Sequence, residues 1–298
     1  MNALLTSHNG LGDNLFMIGA LHYLLNFYEN VYFICKKKYY ENVKLFFDTP
    51  NIICVFFDDT KNEWREINNI IIKCYPIMDV FVCGEGRRIF KSKITNHKFL
   101  THKVINNNDI IKYDTLDPEN YKFIEDFYKD AKLNLTIFYD YFKLPNTNKS
   151  KNLYNSVKKY YLVFIQSRSS CGKSLNMTNL LKKYLNDDNT LLICNDKNLY
   201  DKNNEKFINK HNLCKPFILN DIVNYVDLIE NCNEIYIIDS CFTGIILPYI
   251  KQKKLKANPV RIIRRELISE IKFFNIVFYK FFKFFSSFNK IFKLIIGS

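Results

Sequence analysis

Glycine and proline are scarce in this chain, with eight and seven residues among 298, while Asn, Lys, Ile, Phe and Tyr are heavily used. We interpret this bias as a sign of AT-rich coding sequence. The apolar content of 48% is therefore weaker evidence about the fold than the number alone suggests. The nine cysteines form no CxxC pair, and an odd number cannot all pair in disulfides. Since no secretory signal precedes the first apolar run, we expect a cytoplasmic protein with reduced thiols.

Net positive charge is small along most of the chain, although the whole sequence carries +13. Residues 251–298 hold twelve Lys and Arg against two Glu, which is +10, so the first 250 residues carry only +3. A body this close to neutral disfavours a dispersed nucleic-acid-binding face. We therefore expect no nucleic-acid partner.

The C-terminal tail, residues 266–298, has no long uninterrupted apolar run. Lysines break its Phe-rich sequence well short of the ~20 apolar residues that cross a bilayer. The pattern predicts an amphipathic helix with a narrow basic stripe, which suits peripheral binding to an anionic membrane surface through residues 271–298. The alternative is a terminal helix that packs on the first domain or on a dimer partner.

Length and composition indicate a globular protein of two domains. Short apolar strands alternate with helical stretches in both halves, which is typical of doubly wound parallel sheets. We predict an α/β protein with two Rossmann-like domains, residues 1–150 and 151–265, that face each other across a cleft. A polar linker at 146–155 joins them.

The predicted elements follow from apolar periodicity. In the first half we expect strands at 2–7, 31–35, 52–57 and 79–83, helices at 14–28, 39–47 and 63–72, a basic surface excursion at 87–118 and a helical region at 119–142. In the second half we expect strands at 160–165, 190–194, 234–238 and 259–264, and helices from 174 to 186, at 201–211, at 221–232 with Asp221 as its cap, and after Gly244.

The first strand ends in a glycine-bearing turn that leads into a helix. Gly10 and Gly12 let the backbone come close to a ligand, and the unpaired N–H groups of the first helical turn favour anionic partners. Asp13 and Asn14 stand where a capping side chain belongs, and where a carboxylate can face a substrate. The location predicts a binding site, with helix capping as the alternative role of Asp13.

Two motifs carry a resemblance to known enzymes. Gly10-Leu11-Gly12-Asp13-Asn14-Leu15 resembles the Gly-x-Gly-Asp opening of the lipopolysaccharide heptosyltransferase family. The region from Asp221 to Thr243 is similar to that family's nucleotide-side element, in which an Asp-(Ser/Thr)-Gly turn precedes a helix. This chain has Cys241 where the family has Gly, and Gly244 where it has His.

A second family, the bacterial α-1,2-fucosyltransferases, is a related competitor. Asp239-Ser240-Cys241-Phe242 is similar to a late turn of that family, and Arg168 matches its phosphate-binding arginine. Gln166 stands in place of the accompanying His. Both families are glycosyltransferases of the GT-B type, so the two resemblances imply the same fold.

The resemblance implies an enzyme that moves a sugar from a nucleotide-diphosphate sugar to a hydroxyl of a glycan or lipid-linked acceptor, with inversion and without a metal or cofactor. The catalytic base of the heptosyltransferases corresponds to Asp13, and His8 is a second candidate. The opening turn, with Gly10, Gly12 and Asn14, is then the acceptor side. The residues expected to bind the nucleotide and its phosphates are Arg168, Lys173, Asp239, Ser240 and Thr243.

Other functions stay open. The stretch Ser167–Ser174 has the strand–loop–helix context and the Gly-Lys-Ser of a P-loop, although Ser167 replaces the first glycine, so an ATPase or kinase is an alternative. The changes at Cys241 and Gly244 also allow a catalytically inactive sugar- or nucleotide-binding protein. Asp58-Asp59 hints at a metal-using GT-A enzyme, but adjacent acidic residues after a strand are typical of a turn.

Overall fold

Two parallel four-stranded sheets form the centre of the molecule. The computed structural model describes residues 1–7, 10–58, 63–74, 77–84, 121–169, 174–175, 177–184, 187–202 and 211–264. The first sheet has the order β3-β2-β1-β4 and consists of β1 (Asn2–Thr6), β2 (Asn30–Lys36), β3 (Ile52–Phe57) and β4 (Met78–Val82). The second has the order β6-β5-β7-β8 and consists of β5 (Tyr161–Gln166), β6 (Thr190–Cys194), β7 (Glu234–Ile238) and β8 (Val260–Ile263). The predicted α/β architecture of two doubly wound sheets is confirmed.

Helices connect the parallel strands, as crossover connections require. In the first half they are α1 (Leu11–Leu24), α2 (Lys37–Val43), α3 (Glu63–Cys74), α4 (Lys122–Asp130) and α5 (Thr136–Asp140). After these come α6 (Asn148–Val157), α7 (Thr178–Tyr184), α8 (Lys197–Lys202), α9 (His211–Cys214), α10 (Val226–Asn231) and α11 (Thr243–Lys251). Short 3-10 turns occupy Lys44–Phe46, Lys215–Phe217 and Ile222–Tyr225.

Both faces of the first sheet are covered, because successive strand side chains point to opposite sides. Leu4 of β1 packs in a small cluster with Ile67 and Ile71 of α3. Its neighbours Ala3 and Leu5 belong to the main core on the other face. Near-continuous apolar strands are what a sheet buried on both faces needs.

Helix α1 is buried along residues 14–21, with no solvent-facing stripe in that stretch. A Cβ atom at Gly19 would lie 2.6 Å from the carbonyl oxygen of Ile137 in α5, so the two helices touch backbone to backbone. A Cβ at Gly244 in α11 would lie 2.9 Å from Cβ of Leu15. Since α11 belongs to the second half, α1 packs between the two halves and holds the opening turn against both.

Two predicted elements differ in the structure. The expected linker contains helix α6, whose N-terminus is capped by Thr147: the Ser150 N–H donates to Thr147 Oγ1 at 3.0 Å. The expected helix at 221–232 begins as the 3-10 turn Ile222–Tyr225, with Asp221 at the N-cap position, as predicted, but without a side-chain capping hydrogen bond. The Ile222 N–H donates to Oδ1 of Asn42 at 3.2 Å. A side chain of the first half therefore caps an element of the second.

Other predictions lie outside the described residues. These are the excursion at 87–118, the middle of the helix expected at 201–211, and the amphipathic tail 266–298. Over the ranges that the structure does describe, no helix combines the length and apolar character needed to cross a membrane. The domain boundaries at 150 and 265 and the membrane surface of the tail stay predictions.

Candidate active site

A cavity of about 540 Å³ lies between the two halves. It is lined from one side by the turn before α1 and from the other by residues that follow β5, β6 and β7. In open α/β sheets, ligands bind at the carboxyl ends of the strands, where the strand order reverses. The strand order reverses at β1 in the first sheet and at β5 in the second. The cavity therefore lies where this topology is expected to bind a ligand.

The opening turn presents a carboxylate to this cavity. Oδ2 of Asp13 accepts a hydrogen bond from the backbone N–H of Gly10 at 2.9 Å, which closes the first turn of α1. A Cβ atom at Gly10 would lie 2.6 Å from the same oxygen, so only glycine leaves room for the carboxylate there. A Cβ atom at Gly12 would lie 3.5 Å from Cα of Cys241 in the second half, which is an ordinary contact distance. Asp13 thus has a capping contact and also lines the cavity.

The side chain of Asn14 is buried and stabilises the opening turn by a hydrogen bond. It is 1% exposed, and Nδ2 donates to the carbonyl oxygen of Gly10 at 2.8 Å. Asn14 is not among the residues that line the cavity. His8, the second candidate base, lies outside the described residues.

The loop after β5 contributes a cation. Arg168 is exposed and lines the cavity, and its carbonyl oxygen accepts a hydrogen bond from Nε2 of Gln166 at 2.9 Å. The backbone of Arg168 also forms an antiparallel bridge with Ser174. Lys173 lies outside the described residues.

The turn after β7 joins the two halves at the cavity. Asp239 is 2% exposed, and its Oδ2 accepts a hydrogen bond from the hydroxyl of Tyr121 in the first half at 2.9 Å. Ser240 lines the cavity, and in the described structure its Oγ is buried without a hydrogen-bond partner. Thr243 is fully buried away from the cavity, and its Oγ1 accepts from the Ser240 N–H at 3.0 Å. Thr243 therefore shapes the turn, while Asp239 and Ser240 reach the cavity.

The segment after β6 was not predicted as part of the site. Asp196 is 8% exposed and lines the cavity; its Oδ2 accepts from Ser167 Oγ at 3.1 Å and its Oδ1 from the Asn198 N–H at 2.9 Å. The adjacent Lys197 also lines the cavity and pairs with Asp201 at 3.6 Å. An acidic residue directly after the second strand of a Rossmann-like half was the available signal.

Comparison with known proteins bears on the fold. No protein-family model matches the sequence, and no curated protein does. The structure is similar to ADP-heptose LPS heptosyltransferase II of E. coli, with a TM-score of 0.53, 11% identity, and coverage of 88% of this chain and 90% of that one. It is also similar to a family 9 glycosyl transferase of Veillonella parvula DSM 2008, with a TM-score of 0.51, 12% identity, and coverage of 91% and 87%. The chain has the GT-B fold.

Within the GT-B fold, one departure from the heptosyltransferase motif, Gly244, has a structural reason, and nothing in the structure explains Cys241. A Cβ at Gly244 would meet Leu15 at 2.9 Å and the ring of Phe16 at 3.2 Å, so this packing has no room for the family's His. Cys241 lines the cavity, and burial raises the pKa of its thiol to about 12. A thiol this weakly acidic is not a thiolate nucleophile at neutral pH.

The P-loop and GT-A alternatives are not favoured by this GT-B arrangement. Asp239 follows β7 as a Walker B carboxylate follows its strand, but it accepts a hydrogen bond from Tyr121 at the interface of the halves. Asp58 is exposed at the end of β3 and pairs with Lys37 at 3.0 Å, and neither residue lines the cavity. The described ranges contain no group of three or more His, Cys, Asp or Glu arranged to hold a metal ion.

Proposed function

We propose that this protein is a glycosyltransferase that moves a sugar from a nucleotide-diphosphate sugar to a hydroxyl group of a glycan or lipid-linked acceptor. One observation carries the proposal. The cavity of the GT-B fold has the Asp13 carboxylate on the side of the first half, and the polar and cationic residues Arg168 and Lys197 on the side of the second. Group transfer to a hydroxyl needs a base on one side and stabilisation of an anionic leaving group on the other.

Asp13 is the proposed base. It takes the proton of the acceptor hydroxyl as the oxygen attacks the anomeric carbon of the donor sugar. The bond between that carbon and the diphosphate breaks, and its electron pair leaves on the phosphate oxygen. Attack from the side opposite the leaving group inverts the anomeric centre, which fits the base and the cations lying on different halves.

The leaving diphosphate is the proposed ligand of Arg168, Lys197 and Ser240. Ser240 lines the cavity at the turn before α11, and its Oγ, which has no hydrogen-bond partner in the described structure, can donate to a phosphate oxygen. Charge-assisted hydrogen bonds from Arg to phosphate are strong, and they neutralise the charge that develops on the diphosphate. Lys173 is a further candidate from sequence. This scheme needs no metal ion, and metal independence is part of the proposal.

Asp196 is the proposed contact for the nucleotide ribose. It follows the second strand of its half, where an acidic side chain in related Rossmann folds accepts hydrogen bonds from ribose hydroxyls. Both of its oxygens already accept one bond each, which holds the carboxylate in place. A second cavity of about 350 Å³ adjoins it and shares Arg168 and Asn198 with the first.

A thermal-shift panel of ADP-, GDP-, UDP- and dTDP-sugars tests the proposal on the full chain. We expect at least one nucleotide sugar to raise the melting temperature, and Arg168→Ala to weaken that binding by about tenfold or more. Arg261→Ala is the matched control, because Arg261 is exposed on β8 and outside the cavity lining. No response to any nucleotide sugar, or an equal loss in the control, would count against the proposal.

A further inference from the structure

The wall of the cavity that belongs to the first half is aromatic. Phe16, Tyr39 and Phe123 line it, and Phe123 is 37% exposed although it is a large apolar side chain. The wall of the second half is mostly polar, with Gln166 and Asn195 among its residues. The two walls therefore differ in chemistry, and the first suits the apolar face of a ligand.

The exposed ring of Phe123 is held in a fixed orientation by other rings. Its centroid lies 5.8 Å from that of Phe16, 5.9 Å from that of Tyr121 and 6.0 Å from that of Phe127. These spacings are typical of favourable aromatic pairs. The ring of Phe123, supported by the buried ring of Phe16, is called the aromatic platform below. Through Tyr121, the platform is linked to Asp239 in the opposite wall.

The part of this wall that the structure describes carries a negative charge. Among the described residues of the first half that line the cavity, Asp13 is the single charged one. The cations Arg168 and Lys197 both belong to the second half, where the donor diphosphate is proposed to bind. An anionic group on the acceptor would face the carboxylate of Asp13 in a partly enclosed cavity, where like charges repel strongly.

We propose that the acceptor is an uncharged sugar whose ring stacks on the aromatic platform. A pyranose has an apolar C–H face that packs on an aromatic ring and hydroxyl groups at its edge. Stacking on Phe123 places such an edge in the same cavity as the Asp13 carboxylate. This inference rests on the proposed function and narrows its acceptor class.

The test is a saturation-transfer NMR titration of the full chain with methyl hexopyranosides and with the same sugars carrying a phosphate group. Each titration is made in the presence of the nucleoside diphosphate that corresponds to the nucleotide sugar bound in the thermal-shift panel. We expect the neutral sugars to bind, with saturation strongest at C–H groups of one ring face. Phe123→Ala is expected to weaken this binding by about tenfold, while Phe123→Trp retains it.

Phe27→Ala is the control for loss of an exposed ring, since Phe27 is 62% exposed and outside the cavity lining. Unchanged binding of neutral sugars by Phe123→Ala, binding of phosphorylated sugars alone, or binding of neither would overturn the inference. Nucleoside diphosphate binding is titrated in parallel. If wild type binds nucleotide but the sugar arm fails, the acceptor class is wrong; if no nucleotide binds, the proposed function itself is wrong.

Discussion

Asp13 and Gly10 are joined by a hydrogen bond of 2.9 Å from the Gly10 N–H to the Asp13 carboxylate, and this contact sets where the carboxylate meets the cavity. The glycine is required by space rather than by backbone angle, because its φ of −70° suits any residue. A methyl group there would lie 2.6 Å from Oδ2 of Asp13. The opening motif therefore couples helix capping to the placement of the proposed base.

Gly10→Ala should displace the Asp13 carboxylate while lowering the stability of the protein only slightly. The Asp13 side chain can rotate away from the new methyl group, so the free energy of unfolding should fall by only ~1 kcal/mol, as for a lost cap. Turnover should fall by about a hundredfold or more, because the base is displaced. Steady-state kinetics and chemical denaturation of both proteins measure this. Wild-type turnover in Gly10→Ala would show that the position of Asp13 does not matter.

Gly244→Ala should weaken the contact between the halves. The new Cβ would lie 2.9 Å from Cβ of Leu15, which cannot move without its helix, so we expect a loss of ~1–3 kcal/mol in the free energy of unfolding. Gly12→Ala is the matched control, because its Cβ would lie at an ordinary 3.5 Å from Cys241. The two variants are compared by urea denaturation. Equal stabilities would contradict the packing described for α1.

Glu234 should make stability depend on acid pH. Its carboxylate accepts hydrogen bonds from the hydroxyls of Tyr161, Tyr184 and Tyr236 at 2.6–2.8 Å. Burial alone raises the pKa of Glu234, but these bonds and the charge of Lys183 outweigh it, so the pKa lies below its ordinary value of 4.5. A lowered folded-state pKa means stability that is present above about pH 4.5 and is lost as the pH falls through the folded value.

Glu234→Gln should therefore lower stability at pH 7 by ~2 kcal/mol, since an amide cannot replace every accepted bond. Its melting temperature should also fall less than that of wild type between pH 7 and acid pH. Glu230→Gln is a control of opposite sign, because burial raises the pKa of Glu230 and its charge costs stability at neutral pH. If the melting temperatures of wild type and Glu234→Gln fell equally between pH 7 and acid pH, Glu234 would not be the source of the acid dependence.

Local patterns predicted the strands well. Strands β3, β6 and β7 have the predicted ends, because each is a short apolar run between polar segments. Helix α6 was missed because its exposed face is polar, and it is stabilised by the Thr147 cap and by packing on α10, where Ser150 Oγ accepts from the Asp227 N–H. A Thr at the N-cap position can be recognised in the sequence, but the packing of α6 on α10 cannot be predicted from it.

The lining of the cavity was predicted in part. Gly10, Gly12, Asp13, Arg168, Asp239 and Ser240 meet around one cavity or its turns, as a strand-end argument expects. Contacts across the two halves had no local signal: Tyr121 is 118 residues from Asp239. Similarly, the hydroxyl of Tyr128 accepts from the Ala20 N–H and donates to the Phe16 carbonyl, entering the hydrogen bonding of α1 from far along the chain. Only tertiary packing brings such pairs together.

Asp13→Asn tests whether Asp13 is the base of a sugar transfer. The asparagine oxygen can still accept from the Gly10 N–H, so helix capping is retained while the base is removed. Sugar transfer by both proteins is measured from the nucleotide sugar found in the panel, alongside donor affinity. We expect unchanged donor affinity and turnover lower by roughly a hundredfold to ten-thousandfold. Turnover at the wild-type rate would contradict this expectation.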